Sequence, residues 1–207
     1  MLRAVSWPHH LVAGSAVAFV VGLGALGISG SPRAPERFDA KFVVVAPVSA
    51  DDPADDRLRI MEVIDQDFGD QQRRGHERYV PTDFGVPADV AASSATAPDQ
   101  VRVERFTGEV RIRIGDPDVT ITGQHRYLLG FTLPEARLSE GLLALDVIGV
   151  EEELETGRFE IVVTGFELRE PRCNVGSLGA TGGCELLAEG DRYRAVIEPL
   201  RPGEGIT

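Results

Sequence analysis

The residues with the clearest chemical potential are three arginines in a short stretch of an acidic chain. Arg73, Arg74 and Arg78 surround Gly75, whereas the 207-residue protein carries a formal net charge of −12. A guanidinium group binds carboxylates through a planar pair of N–H donors, so this cluster is suited to an acidic partner or a cell-envelope polymer. The alternative is a structural turn whose arginines pair with the nearby aspartates at 67 and 70. The sequence leaves both interpretations open.

The two cysteines form the second candidate group. Cys173 and Cys184 enclose a Gly-rich segment, NVGSLGATGG. Two cysteines at this separation in an exported chain are expected to form a disulfide. A structural zinc site needs four ligands, and no histidine lies nearby in sequence. We therefore predict a Cys173–Cys184 disulfide.

The acidic run DQDFGD at 65–70 begins in the same way as a calcium-binding loop. An EF-hand loop starting at Asp65 requires a glutamate at its twelfth position, where this chain has His76. An irregular calcium site remains an alternative to ordinary acidic turns between strands. We predict no metal ligand.

The histidines and serines give no catalytic pattern. No G-x-S-x-G motif surrounds Ser139 or Ser177. His125 is expected on the surface of a strand, and His76 is expected in the Arg-rich turn. The sequence therefore predicts no catalytic residue and no cofactor.

The elements that position these residues begin with an apolar N-terminal segment. Residues 11–28 carry no charge and span about 27 Å as a helix, close to the thickness of a bilayer core. We predict that residues 1–30 are either a cleaved signal peptide or a retained transmembrane anchor, that 31–37 are a linker, and that the rest is extracytoplasmic. Because the chain is acidic, we expect hydrophobic membrane attachment and no nucleic-acid binding.

The remaining chain has the pattern of an all-β protein. Short apolar runs and period-two alternation, separated by Gly- and Pro-rich turns, predict an antiparallel β-sandwich over 38–207. The predicted strands lie at 42–45, 58–64, 101–106, 110–114, 119–133, 142–148, 159–166 and 193–197. Residues 67–81 are expected to be turn-rich, and 88–98 to be a loop or a weak edge strand.

Four segments carry a family resemblance: RIRIGDPDVTITGQHRYLLGF at 111–131, RRGHERYVP at 73–81, CNVGSLGATGGC at 173–184 and LRPGEGIT at 200–207. Through them the chain, from about residue 41 to 207, resembles the bacterial family of predicted membrane proteins known as domain of unknown function 2207. It departs from the family at Leu145 and Asp146, where a Trp-Asn pair is usual, and family members typically continue into a transmembrane helix. The resemblance implies an exported β-rich domain on a membrane protein, with no established activity.

These observations predict a non-catalytic extracytoplasmic binding or assembly domain of a membrane protein. Its expected partners are the membrane, through the N-terminal segment, and an envelope protein or polymer. The alternative is a cell-envelope hydrolase whose site is not recognisable from sequence. A deep pocket with convergent carboxylates or a histidine favours the enzyme, and an uncovered sheet edge favours the binding domain.

Overall fold

The computed structural model describes residues 34–49, 52, 55–136 and 144–207. The predicted signal or anchor at 1–30 and the first part of the predicted linker lie outside these residues. Within the described ranges, no helix has the length and apolarity needed to cross a membrane.

The described residues form an all-β structure, as predicted. Its strands are β1 (Arg37–Pro47), β2 (Leu58–Asp67), β3 (His76–Pro81), β4 (Ala88–Ser93), β5 (Val101–Arg105), β6 (Glu109–Ile114), β7 (Gln124–Leu133), β8 (Thr156–Thr164), β9 (Val175–Gly176), β10 (Leu187–Glu189), β11 (Arg192–Ile197) and β12 (Gly205–Ile206).

The strands form three sheets. A seven-stranded sheet has the order β10-β11-β8-β1-β2-β7-β4, a three-stranded sheet has the order β3-β6-β5, and β12 pairs with β9. The pairing between β1 and β8 is parallel, so the large sheet is mixed and not antiparallel throughout as predicted. Parallel neighbours require a long crossover, and here the crossover includes all of β2 to β7.

The core lies between the large sheet and the three-stranded sheet. Alternation in β1 and β2 turns Val43, Val45, Ile60 and Ile64 to one face, where they are buried. In β6 the residues Val110, Ile112 and Ile114 are fully buried and belong to the same core. The predicted hairpin at 101–114 is confirmed as β5 and β6.

Three predicted boundaries differ from the structure. The segment at 67–81 ends in a regular strand, β3, and β7 begins at Gln124 after a turn at Gly123, whose φ is 75°. The predicted strand at 142–148 is absent from its described part, in which Ile148 makes a single bridge to Ile206. The weak edge strand expected at 88–98 is β4, at one edge of the large sheet.

Cys173 and Cys184 form a disulfide, with Cα atoms 5.3 Å apart. The bond joins the two ends of the Gly-rich segment that contains β9. Because β9 pairs with β12, the disulfide stabilises the segment against which Ile206 packs.

Candidate functional site

Polar side chains occupy core-facing positions where the two sheets meet. Lys41 in β1, Glu62 and Gln66 in β2, and His76 in β3 are each no more than 4% exposed. A buried polar group is costly unless it is hydrogen-bonded, so the partners of these side chains define the arrangement.

Arg78 connects β3 to β2 in the large sheet and to the loop that contains Val147. Its guanidinium Nε donates to Glu62 Oε1 at 3.0 Å, and Nη2 donates to the backbone oxygen of Val147 at 2.8 Å. Nη1 donates to the backbone oxygen of Tyr79. The carboxylate of Glu62 is 2% exposed, so this ion pair lies almost wholly out of water. Arg78 therefore fastens the small sheet to the large one.

Lys41 makes a second ion pair across the same junction. Its Nζ lies 2.7 Å from Glu152 Oε2 and 3.4 Å from the centre of the Phe38 ring. Burial lowers the pKa of Lys41, and the charge and hydrogen bond of Glu152 oppose that shift. The ammonium group is thus held by one carboxylate and one aromatic face.

His76 is the innermost polar residue of β3, and its protonation follows from a chain of hydrogen bonds. The carboxylate of Glu36 only accepts, so the Gln66 amide nitrogen faces it at 2.8 Å. The Gln66 carbonyl then faces His76 Nδ1 at 2.8 Å and accepts its proton. Burial lowers the pKa of His76 well below 6.5, and the nearby positive charges of Lys41 and Arg78 add to the shift. The imidazole is therefore neutral, with its proton on Nδ1.

Beside this series of hydrogen bonds, two polar atoms have no partner among the described residues: His76 Nε2 and the Tyr127 hydroxyl. The two rings stack with centroids 5.7 Å apart, and burial raises the pKa of Tyr127 to about 12. Both groups are uncharged at neutral pH.

A cleft of about 930 Å³ opens over this polar layer. One wall consists of β3 and the adjoining part of β6, including Tyr79 and Arg113, and the other consists of residues 146, 148, 149 and 151–154. Lys41 and Phe38 also line it. The volume lies within the range of ligand-binding clefts in proteins. Next to it, a smaller apolar cavity of about 290 Å³ is lined by Val43, Phe131 and neighbouring core residues.

The three arginines singled out in the sequence all line this cleft, but they differ in their partners. Arg73 pairs with Glu36 at 2.6 Å, and Arg78 pairs with Glu62. Arg74 is exposed and makes no ion pair or hydrogen bond with the described residues. The paired carboxylates thus come from the chain before β1 and from β2, and not from the nearby aspartates at 67 and 70.

A fourth arginine, Arg113 in β6, was not singled out in the sequence. Its Nη2 is buried and has no partner among the described residues. Its alternation with Ile112 and Ile114 indicated only an outward-facing strand position. The free guanidinium groups of the cleft are therefore those of Arg74 and Arg113.

The other sequence candidates lie apart from the cleft or outside the described residues. Asp65 pairs with Arg126, Asp67 accepts from the Gly69 amide, and the described ranges contain no group of three or more residues arranged to hold a metal ion. His125 Nε2 lies 3.1 Å from the Thr122 oxygen. Ser139 is outside the described residues.

Sequence reasoning missed Lys41, Glu62 and Gln66, and it expected His76 in a turn, whereas the structure places it in β3. The usable signal was Glu62, which takes a core-facing position in the alternation of Leu58, Ile60 and Ile64. A charged residue at such a position requires a buried partner. That partner, Arg78, was identified only as part of the arginine cluster.

Comparisons with known proteins give the following. No family model and no curated protein matches the chain. Among solved structures, it is similar to an M1 zinc metallopeptidase from Deinococcus radiodurans, with 10% identity over 83% of this chain and a TM-score of 0.40. It is similar to native yeast LTA4 hydrolase with 11% identity over 86% of this chain and a TM-score of 0.46. The chain spans 41% and 31% of the lengths of these two proteins.

Proposed function

We propose that residues 38–207 are an exported β-sandwich that acts as a non-catalytic binding or assembly domain of a membrane protein. The binding site is the cleft beside β3, and the partner is a component of the cell envelope that presents carboxylates. The membrane attachment is the apolar segment at 11–28, as a signal or anchor helix.

The observation that carries this proposal is the free guanidinium of Arg74 at the cleft. Three other positive charges that line the cleft have internal partners: Arg78 with Glu62, Lys41 with Glu152, and Arg73 with Glu36. Arg74 therefore has no structural ion pair to maintain, whereas its fork of N–H donors suits a carboxylate from outside.

Three further observations support location outside the cytoplasm. The Cys173–Cys184 disulfide is compatible with an oxidising compartment. The uncharged length of 11–28 suits a signal or anchor. The resemblance to the domain of unknown function 2207 family agrees with attachment to a membrane protein.

The experiment is quantitative affinity capture from native membranes with the full chain as bait. Wild type is compared with Arg74→Glu and with Arg172→Glu, a matched reversal at a side chain that is 81% exposed and remote in sequence from β3. We expect a partner that wild type and Arg172→Glu capture equally and that Arg74→Glu captures about tenfold less, since reversal turns attraction into repulsion. Equal capture by all three proteins, or capture by none, contradicts the proposal.

A further inference from the structure

The strand that borders the cleft has a free hydrogen-bonding edge. β3 pairs with β6 alone among the described strands, and the Thr82 N–H donates to the Gly108 oxygen at 3.0 Å just beyond the last pair. In an antiparallel ladder, alternate residues of an edge strand bond to the neighbour and the rest point away. Because Thr82 bonds to β6, the alternation makes residues 76, 78 and 80 bond to β6 as well. The backbone N–H and C=O groups of Glu77 and Tyr79 therefore point away from β6, towards the open edge of the sheet.

The backbone groups along this edge are free to pair with a further strand. The N–H groups of Glu77 and Tyr79 donate no backbone hydrogen bond outside the ladder to any described residue. The Tyr79 oxygen accepts from Arg78 Nη1 and also points outward. Pro81 takes the next outward position, where its lack of an N–H removes no ladder bond. The free donors are therefore concentrated at Glu77 and Tyr79.

This edge lies within the cleft. Glu77, Tyr79 and Pro81 line one side, and residues 148, 149 and 151–154 line the other. The cleft also reaches side chains on both faces of the small sheet: Arg78 of β3 on the core side, and Arg113 of β6, the partner of Glu77, on the outer side. A strand added at the usual spacing of about 4.8 Å from β3 would therefore enter the cleft volume.

We propose that the occupant of the cleft is an extended polypeptide segment that carries a carboxylate and adds to β3 as a fourth strand of the small sheet. This inference rests on the proposed binding function and specifies the partner. The unpaired N–H groups of Glu77 and Tyr79 provide main-chain bonds for such a segment. The free guanidinium groups of Arg74 and Arg113 receive its carboxylate.

Charge selects a polypeptide over a uniformly acidic polymer. The wall opposite β3 carries Glu151, Glu152 and Glu153, of which Glu152 pairs with Lys41. A polyanion filling the cleft would meet this wall with repulsion, whereas a segment with a single carboxylate can direct it towards the arginines.

The test uses peptides selected from a random twelve-residue display library on the folded full chain. We expect selected peptides to contain an acidic residue and to bind Arg74→Glu about tenfold more weakly. In the best peptide, N-methylation of alternate residues should weaken binding about tenfold, and N-methylation of the residues between them should not, because a strand presents every second N–H to its neighbour.

The matched protein variants are Tyr79→Pro and Tyr79→Thr. Both remove the phenol ring and with it the side-chain hydrogen bond to Arg111, but only proline removes the outward N–H, and neither alters a backbone bond of the ladder to β6. We expect Tyr79→Thr to bind the selected peptide within about threefold of wild type and Tyr79→Pro to bind about tenfold more weakly, with melting temperatures compared to show that both are folded.

The results separate this inference from the proposed function. Selection of no peptide, or an N-methyl series without alternation, overturns strand addition even if Tyr79→Pro is unstable. Equal binding by the two folded Tyr79 variants also overturns it. If the capture of a membrane partner still depends on Arg74, the proposed binding function of the cleft stands without strand addition. If the chain forms a dimer that Tyr79→Pro dissociates, the strand that adds to β3 comes from a second copy of the chain and not from a peptide partner.

Discussion

The molecule contains two sets of ion pairs that share chemistry and differ in surroundings. At the junction of the sheets, Arg78 meets Glu62, and Lys41 meets Glu152. On the outer face of the large sheet, Arg126 meets Asp65, and Arg158 and Arg194 both meet Glu160. The side chains of Arg78 and Glu62 are 14% and 2% exposed, whereas those of Arg126 and Asp65 are 64% and 19% exposed.

The two sets also connect different things. Asp65 and Arg126 are direct partners in the register of neighbouring strands, so their ion pair repeats a connection that the ladder already makes. Arg78 and Glu62 lie in different sheets. The buried pairs therefore fix the position of the cleft walls, whereas the outer pairs mainly cover a face of the sheet with charge.

The largest expected effect is at Arg78. Arg78→Met leaves the Glu62 carboxylate buried without its ion-pair partner, and we expect a loss of about 3–5 kcal/mol in the free energy of unfolding. Urea denaturation at pH 7.5 measures it. The double variant Arg78→Met, Glu62→Leu should recover most of the loss, because it removes both buried charges. A single-variant cost below about 1 kcal/mol would erase the contrast between the two regions.

The second prediction concerns pH and His76. Its pKa in the folded protein is depressed, so the unfolded chain takes up a proton near pH 6.5 that the folded protein resists. The stability present above pH 6.5 is therefore lost as the pH falls, at up to about 1.4 kcal/mol per pH unit. Urea denaturation at pH 7.5, 6.5 and 5.5 measures the slope. His76→Gln should flatten it. An unchanged slope in His76→Gln rejects the assignment.

The smallest expected effect is on the outer face. Arg126→Ala removes the Asp65 ion pair where solvent screens it, and we expect a loss of at most about 1 kcal/mol that decreases further in 0.5 M salt. Urea denaturation at two salt concentrations measures it. If this variant costs as much as Arg78→Met, burial does not distinguish the two regions.

Local pattern was sufficient for the small sheet's hairpin. Alternation of Arg111 and Arg113 with Ile112 and Ile114 predicts one wet and one buried face, and the structure confirms that the isoleucines are fully buried. The same alternation is hidden in β3. Its core-facing residues are His76, Arg78 and Val80, and the first two are polar because they bind residues of β2.

The pairing of strands that are far apart in the chain could not be predicted from the sequence. The parallel contact of Phe42 with Glu160 joins residues far apart in the chain, and nothing local to either indicates it. Val147 and Ile148 read as part of a strand because they are apolar. They are buried instead in a loop, where Ile148 makes one bridge to Ile206 and Val147 accepts a bond from Arg78. Burial and ladder formation are thus separate properties, and apolar pattern reports mainly the first.

The Lys41 side chain places an amine at the cleft. It is the only lysine in the sequence, and its ammonium group lies against Phe38 with the side chain 4% exposed. Reagents that acylate or reductively alkylate amines therefore have a single side chain to modify, and it lines the cleft. The rate at which that one site is labelled reports directly on whether the cleft is occupied.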